Sequence, residues 1–171
     1  MTMPQAAFDP VRLLEALHAG GVRFVVIGAV AGRILGSPTL TRDLDVCYAG
    51  DSANLEALAS VLISRKARLR GADPDVPFRL DARTLRAGDT FIFTTDAGDL
   101  DVIRTPAGTG GFDELARTAR SVDLGGLTVL VASLDDLIRM KRAAGRPKDL
   151  VELEILGALR EELETGYPPN A

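Results

Sequence analysis

The sequence predicts an α+β fold in which helices flank a mixed β-sheet and a helical segment forms the C-terminal part. Short apolar runs rich in β-branched residues alternate with amphipathic helical stretches. Two pairs of these runs are joined by tight glycine-containing turns, which are typical of antiparallel hairpins. The sequence lacks the regular alternation of strand and helix that indicates a parallel sheet, so α+β is favoured.

Capping residues delimit the elements of the first half. Asp9 and Pro10 fit the N-cap and first position of a helix, and the pair Gly20-Gly21 fits its end. A β-branched run after this helix indicates a buried strand. The predicted elements are, in order, helix 10–19, strand 22–28, helix 29–36, strand 44–48 and helix 52–63.

The second half begins with a stretch, 68–88, that is predicted to be mostly loop with one edge strand. Two hairpins follow, one turning around Asp96-Ala97-Gly98 and the other at Gly125-Gly126. The predicted elements are strands 90–95 and 100–104, a short helix within 110–119, two strands within 121–132, helix 133–144, helix 148–164 and a frayed tail over 165–171.

Size and composition favour one domain over residues 1–171, with a core of about 20–156. The chain has 171 residues, of which 46% are hydrophobic, and a net charge of −4. This charge disfavours bulk attraction to nucleic acid, although basic residues cluster at 65–70 and 139–148. One cysteine, Cys47, excludes an internal disulfide, and no apolar run is long enough to span a membrane. We therefore expect a cytoplasmic protein without a membrane partner.

Two aspartates in one short strand are the strongest chemical signal. Side chains alternate along a strand, so Asp43 and Asp45 project from the same face. Two adjacent carboxylates repel each other in a half-buried strand unless a cation or a proton lies between them. The later acidic strand "GDLDVI" supplies a third carboxylate. Asp99 and Asp101 share one face of that strand, and either fits this role.

Basic residues near the C-terminus suggest phosphate contacts. Lys141 lies seven residues after Leu134, on the apolar face of the predicted helix 133–144. Its ammonium group either reaches out to solvent or meets an anion, namely a substrate phosphate or the carboxylates. Arg146 and Lys148 follow at a tight turn. They are either ordinary surface charges or further phosphate contacts.

These residues together resemble a known family. The segment "VVIGAVAGRILGSPTLTRDLDVCY" resembles the signature of the DNA polymerase β-like nucleotidyltransferase superfamily, which is Gly-Gly or Gly-Ser, a short helix and Asp-hydrophobic-Asp. "GDLDVI" is similar to the third acidic strand of that family. Residues 134–156 resemble the C-terminal helices of AbiEii-like and related small bacterial nucleotidyltransferases. The resemblance spans about residues 20–156.

The resemblance implies a nucleotidyltransferase that moves an NMP from an NTP to a hydroxyl group on RNA, protein or a small molecule. It implies Mg²⁺ or Mn²⁺ bound by Asp43, Asp45 and Asp101, with Asp101 as third ligand or as general base. The implied nucleotide-binding residues are Gly28, Ala29, Thr41, Lys141 and Lys148. By analogy with toxin–antitoxin systems, tRNA is one possible acceptor, and a second copy of the chain or a cognate antitoxin is a possible partner.

Position 29 departs from the family pattern. Ala29 stands where the family has a second Gly or a Ser, so the chain keeps the backbone N–H but lacks the hydroxyl. This departure leaves two other hypotheses open. The chain is either a non-catalytic binding module that keeps the fold and the carboxylates, or an antitoxin-like interaction protein in which the acidic site is vestigial.

Overall fold

Seven strands form one mixed sheet in the computed structural model, which describes residues 4–166. The strands are β1 (Phe24–Ile27), β2 (Asp43–Tyr48), β3 (Arg68–Leu69), β4 (Thr90–Thr95), β5 (Gly98–Ile103), β6 (Arg120–Asp123) and β7 (Thr128–Val131). The helices are α1 (Pro10–Ala19), α2 (Gly28–Ile34), α3 (Ser52–Ser64), α4 (Ala82–Ala87), α5 (Phe112–Thr118), α6 (Leu134–Ala144) and α7 (Pro147–Thr165). The predicted α+β class is confirmed.

The strand order is β3-β4-β5-β2-β1-β7-β6, with β2 at the centre. β2 pairs antiparallel with β1 and parallel with β5, and β1 pairs parallel with β7. Hairpins β4–β5 and β6–β7 form the two sides of the sheet, and β3 is the edge strand next to β4. The central strand therefore has a neighbour of each direction.

The core of the fold lies along the central strands. All four residues of β1 are buried, which explains why this strand is a continuous apolar run. Leucines of α1 and α3 pack into the same core. They are Leu13, Leu14, Leu17, Leu55, Leu58 and Leu62. Burial of these side chains holds the strand that carries the aspartates in a fixed place.

One helix was not expected from the sequence. Residues 82–87 form α4, whose N-cap Asp81 accepts a hydrogen bond from the backbone N–H of Thr84. The prediction of mostly loop over 68–88 was wrong at this point, because a helix of six residues is too short to show a clear apolar period. The predicted edge strand in the same stretch is confirmed as β3.

The other predicted helices and strands are confirmed, with ends that differ by one or two residues. The predicted frayed tail, 165–171, is only partly described. Thr165 is the last residue of α7, so the expectation is wrong for this residue, and Gly166 ends the helix in a left-handed conformation. Residues 167–171 lie outside the described part of the chain.

The turn between α6 and α7 prepares one side of the candidate site. Gly145 ends α6 with φ of 62°, a left-handed conformation that glycine adopts without strain. Pro147 then starts α7 at its first position. This sharp reversal brings the first turn of α7 back against Lys141 of α6.

Among the described helices, none is long and apolar enough to cross a membrane. The single-domain organisation stays a prediction.

Candidate active site

Three carboxylates converge at the centre of the sheet. Asp43 and Asp45 of β2 and Asp101 of β5 each offer an oxygen, and these oxygens lie within 4.8 Å of one another. The parallel register explains the geometry, because Asp45 is paired directly with Asp101. Residues paired in this way project from the same face of the sheet. We call Asp43, Asp45 and Asp101 the carboxylate triad.

The positions of the carboxylate oxygens separate the two candidates for the third carboxylate. Asp99 is paired with Asp43, whereas Asp101, two residues later on β5, is paired with Asp45. The carboxylate of Asp99 accepts hydrogen bonds from Thr94 Oγ1 at 3.0 Å and Gln5 Nε2 at 3.2 Å. Asp101 offers an oxygen within 4.8 Å of those of Asp43 and Asp45, so it is the third member of the triad.

The triad is electrostatically frustrated. Burial, followed by the negative charges of Asp43 and Asp101, raises the pKa of Asp45 from 3.8 to about 7. Lys141 and Arg70 act in the opposite direction but do not offset these effects. Burial also raises the pKa of Asp101, and Arg70 opposes that rise. Near neutral pH the triad therefore favours either a proton or an added cation.

Thr41 orients the first aspartate. Its hydroxyl donates a hydrogen bond to Asp43 Oδ1 at 2.7 Å, and the backbone N–H of Asp43 points back to Thr41 Oγ1 at 3.3 Å. The loop before β2 thus fixes the rotamer of its first carboxylate. The prediction that Thr41 binds nucleotide stays a prediction.

Gly28 makes room for the second aspartate. Its φ of 66° favours glycine, and a Cβ atom placed on it would lie 2.3 Å from Asp45 Oδ2. Ile27, the residue before it, is paired with Asp45 across β1 and β2. A glycine is therefore required at position 28 because a larger residue would collide with the carboxylate of Asp45. Ala29 follows as the second residue of α2, and its predicted contact with nucleotide stays a prediction.

Lys141 meets anions, but in this structure they are carboxylates of α7. Its Nζ lies 3.0 Å from Glu152 Oε2 and 3.4 Å from Asp149 Oδ1, and its side chain is 18% exposed. The lysine still acts electrostatically on the triad, because it lowers the pKa of Asp45. A contact between Lys141 and a substrate phosphate remains a prediction.

Arg146 is the second cation on this side. Its Nε lies 2.8 Å from Asp149 Oδ2, and this contact is the main reason why the pKa of Asp149 falls to about 2. The carboxylate of Asp149 is completely buried, so the pair ties the α6–α7 turn to the start of α7. Lys148 is exposed in the first turn of α7, and its predicted role as a nucleotide contact also stays a prediction.

A cleft of about 310 Å³ borders the triad at Asp45. One part of its wall is apolar and another is charged. The apolar lining residues are Ile27, Ile103, Pro106, Ala107, Leu137, Met140 and Ala144, and the charged ones are Asp45, Lys141 and Arg146. Lys148 is not one of the described residues that line this cleft. A cleft of this kind suits a small ligand with an apolar or aromatic part and an anionic part.

Sequence reasoning missed Arg70. This residue directly follows β3, and its guanidinium contacts both Asp99 and Asp101. The basic cluster 65–70 was visible in the sequence as a source of positive charge. Its partner was not, because the contact depends on how β3 pairs with β4 and β4 with β5.

By sequence, the chain matches no protein-family model and no curated protein. It is similar in structure to LnuA, a lincosamide antibiotic adenylyltransferase solved with lincomycin bound. The TM-score is 0.60 and the identity 10%, over 90% of this chain and 99% of that chain. It is also similar to ANT(2″)-Ia in complex with adenylyl-2″-tobramycin, with a TM-score of 0.51 and 14% identity over 92% of this chain and 96% of that chain.

The solution structure of the antibiotic-resistance factor ANT(2″)-Ia gives the same TM-score, 0.51, and the same identity, 14%, over 92% of this chain and 90% of that chain. At these identities the likeness establishes the fold. The chain has the nucleotidyltransferase fold, as the sequence predicted, whereas membership of the AbiEii-like group stays a prediction.

Asp45→Asn should stabilise the metal-free protein in a pH-dependent way. The folded state raises the pKa of Asp45 to about 7, so folding is less favourable once pH rises from about 4 to above 7. Asparagine removes this dependence. We expect a gain on the order of 2–4 kcal/mol at pH 8 and little gain at pH 4, measured by urea unfolding in EDTA.

Glu56→Gln is the matched control, because Glu56 is an exposed carboxylate on α3. It should change the unfolding free energy by less than about 0.5 kcal/mol at either pH. An equal gain from Asp45→Asn at pH 4 and pH 8 would show that the triad is not electrostatically frustrated.

Proposed function

We propose that this protein is a metal-dependent nucleotidyltransferase that moves a nucleoside monophosphate from an NTP to a hydroxyl group. The observation that carries the proposal is the convergence of the three triad oxygens within 4.8 Å of one another. The fold supports it, since the solved structures that share this fold include adenylyltransferases. The cleft beside Asp45 gives a small ligand access to the triad.

The donor set of the triad fits a hard divalent cation. Carboxylate oxygens are the ligands that Mg²⁺ and Mn²⁺ prefer. Burial and then the neighbouring carboxylates raise the pKa of Asp45, which supports a site where an added cation would be favourable. Mg²⁺ or Mn²⁺ would be held by Asp43, Asp45 and Asp101 and would polarise the α-phosphate of the nucleotide. A half-buried cluster of three carboxylates with no such use would be costly to keep.

The reaction joins the acceptor oxygen to the α-phosphorus of the NTP. That new P–O bond replaces the bond from the α-phosphorus to the oxygen that bridges the α- and β-phosphates, and pyrophosphate leaves. The proton of the acceptor hydroxyl passes to a carboxylate of the triad, for which Asp101 is the candidate base. Asp43, held by Thr41, and Asp45, placed beside Gly28, would hold the cation that offsets the negative charge of the phosphate.

Lys141 and Arg146 are the candidate contacts for the negative charge of the triphosphate and of the leaving pyrophosphate. Both line the cleft next to Asp45. Lys141 would exchange its contact with the half-buried Glu152 for a phosphate oxygen, while Asp149 keeps the lysine in place. Lys148 is exposed in the first turn of α7 and is the weaker candidate for a phosphate contact.

A hydroxylated small molecule is the acceptor class that we favour. The chain covers 99% of LnuA and 96% of ANT(2″)-Ia, which were solved with an antibiotic and an adenylylated antibiotic respectively. A net charge of −4 disfavours a long nucleic-acid footprint, so tRNA is the weaker alternative. An antitoxin partner or a homo-oligomer rests on the family resemblance alone. ATP is the first donor to test.

Replacing Asp43 and Asp45 together with asparagine should abolish transfer. The variant should remain folded and, in EDTA at pH 8, should unfold at a higher temperature than the unmodified protein. The measurement is pyrophosphate release from ATP with Mg²⁺ or Mn²⁺ and a panel of hydroxylated acceptors. Glu56→Gln should retain full activity. Equal rates for the double variant and the unmodified protein would refute the proposal.

A non-catalytic binding module is the second candidate, and Ala29 is the observation that favours it. Ala29 cannot supply the hydroxyl that a serine offers at this position, and the N-cap of α2 makes no side-chain hydrogen bond. A hydrogen bond to a charged group contributes roughly 1.5–3 kcal/mol. Its absence weakens nucleotide binding without removing the triad.

Ala29→Ser should therefore tighten binding of an NTP by about ten- to a hundredfold if the site is that of an enzyme. Calorimetry with ATP and Mg²⁺ measures this, and Ala53→Ser on the exposed face of α3 is the control. If neither form binds any NTP in the presence of Mg²⁺, the binding-module or interaction-protein hypothesis replaces the enzyme.

A further inference from the structure

One arginine bridges a carboxylate inside the triad and one outside it. Arg70 Nη2 lies 2.6 Å from Asp101 Oδ1, and Arg70 Nη1 lies 3.0 Å from Asp99 Oδ2. All three side chains are mostly shielded from solvent, with exposures of 27% for Arg70, 13% for Asp99 and 15% for Asp101. The contact with Asp101 is a charge-assisted hydrogen bond and the contact with Asp99 is an ion pair, and both are screened by solvent less than a surface ion pair is.

The backbone explains why this arginine reaches the triad. The N–H of Arg70 donates to the carbonyl of Ile92 at 2.9 Å, which extends the pairing of β3 with β4 by one residue. Ile92 is in turn paired with Asp101 across β4 and β5. Arg70 thus lies two strands away from Asp101 in the same row of the sheet, within reach of a long side chain.

Asp99 anchors the guanidinium from outside the triad. It is held by Thr94 and Gln5 as well as by Arg70, so its own position is fixed. The two carboxylates that the sequence could not separate therefore have different roles. Asp101 belongs to the triad, and Asp99 holds the arginine that contacts Asp101.

Arg70 is also the cation that directly contacts the triad in the part of the chain that the structure describes. Lys141 acts on Asp45 from further away and is itself bound to Asp149 and Glu152. A divalent cation bound by Asp101 would face the positive guanidinium across one carboxylate. Like charges at such a separation repel strongly when they are shielded from water.

We propose that Arg70 is the built-in counter-ion of the metal-free triad, that it competes with the divalent metal for Asp101, and that it thereby sets the metal affinity of the site. The inference rests on the proposed function, since it takes the triad as the metal site. Arg70 acts through Asp101, so it is a positioning residue. When metal binds, Arg70 keeps its contact with Asp99 and loosens its contact with Asp101.

The test compares Arg70→Met, Arg70→Lys and Arg68→Met in the full chain. Methionine keeps the apolar stem of the side chain and removes the charge, whereas lysine keeps the charge and loses the fork. Arg68→Met is the matched control, because Arg68 is exposed on β3 and its loss changes the net charge equally. Binding of Mn²⁺ and Mg²⁺ is measured by calorimetry at pH 8 in about 0.15 M salt.

Arg70→Met should bind Mn²⁺ and Mg²⁺ at least about tenfold more tightly than the unmodified protein. Arg70→Lys should fall between the two, and Arg68→Met should not differ from the unmodified protein. In EDTA the melting temperature of Arg70→Met should be lower than that of the unmodified protein, and saturating Mg²⁺ should narrow this gap. If Arg70 were merely structural, Arg70→Met would melt below the unmodified protein by the same amount in EDTA and in saturating Mg²⁺.

Equal or weaker metal binding by Arg70→Met overturns the inference, as does an equal effect of Arg68→Met. These outcomes leave the proposed function intact if the unmodified protein binds metal. If none of the four proteins binds Mn²⁺ or Mg²⁺, with or without ATP, the proposed function fails and this inference fails with it.

Discussion

Repulsion among three carboxylates is the constraint on which the rest of the site depends. The parallel register of β2 and β5 pairs Asp45 with Asp101 and thereby creates this repulsion. The surrounding core does not let the strands move apart, because both lie in the middle of a seven-stranded sheet. The charge must therefore be balanced by groups that approach the same face from elsewhere. The raised pKa of Asp45 shows that the protein's own groups balance it only in part.

Each neighbouring element accommodates, orients or neutralises the triad carboxylates in a different way. α2 begins with a glycine because the carboxylate of Asp45 occupies the space of a side chain. The loop before β2 supplies the hydroxyl of Thr41 to fix Asp43. The edge strand supplies Arg70, and the turn between α6 and α7 brings Lys141 and its partners. Four parts of the chain that are distant in sequence thus converge on one charge cluster.

Much of this site could be predicted from local sequence patterns. The alternation of side chains along a strand placed Asp43 and Asp45 on one face, and the β-branched runs located the strands around them. The same alternation could not separate Asp99 from Asp101, because both project from one face and each is paired with an aspartate of β2, so that only the positions of their oxygens distinguish them. Register between distant strands is set by long-range packing, which a single sequence does not reveal.

The partners of charged side chains were the second feature that could not be predicted from the sequence. The apolar face of α6 left open whether Lys141 reaches out to solvent or meets an anion. In the structure it meets Asp149 and Glu152, which a sharp turn brings back against α6. The helix α4 was invisible because of its length. For Lys141 the missing information was the direction of the chain after the turn at Gly145.

The central claim is that Asp43, Asp45 and Asp101 together bind one or more divalent cations. The most direct measurement is a crystal structure of the protein grown or soaked with MnCl₂ and a non-hydrolysable ATP analogue, with data collected to locate anomalous scattering from manganese. We expect an anomalous peak within ligand distance of oxygens from all three carboxylates, about 2.1–2.3 Å. A peak elsewhere, no peak at saturating Mn²⁺, or three carboxylates that point away from one another would contradict that claim.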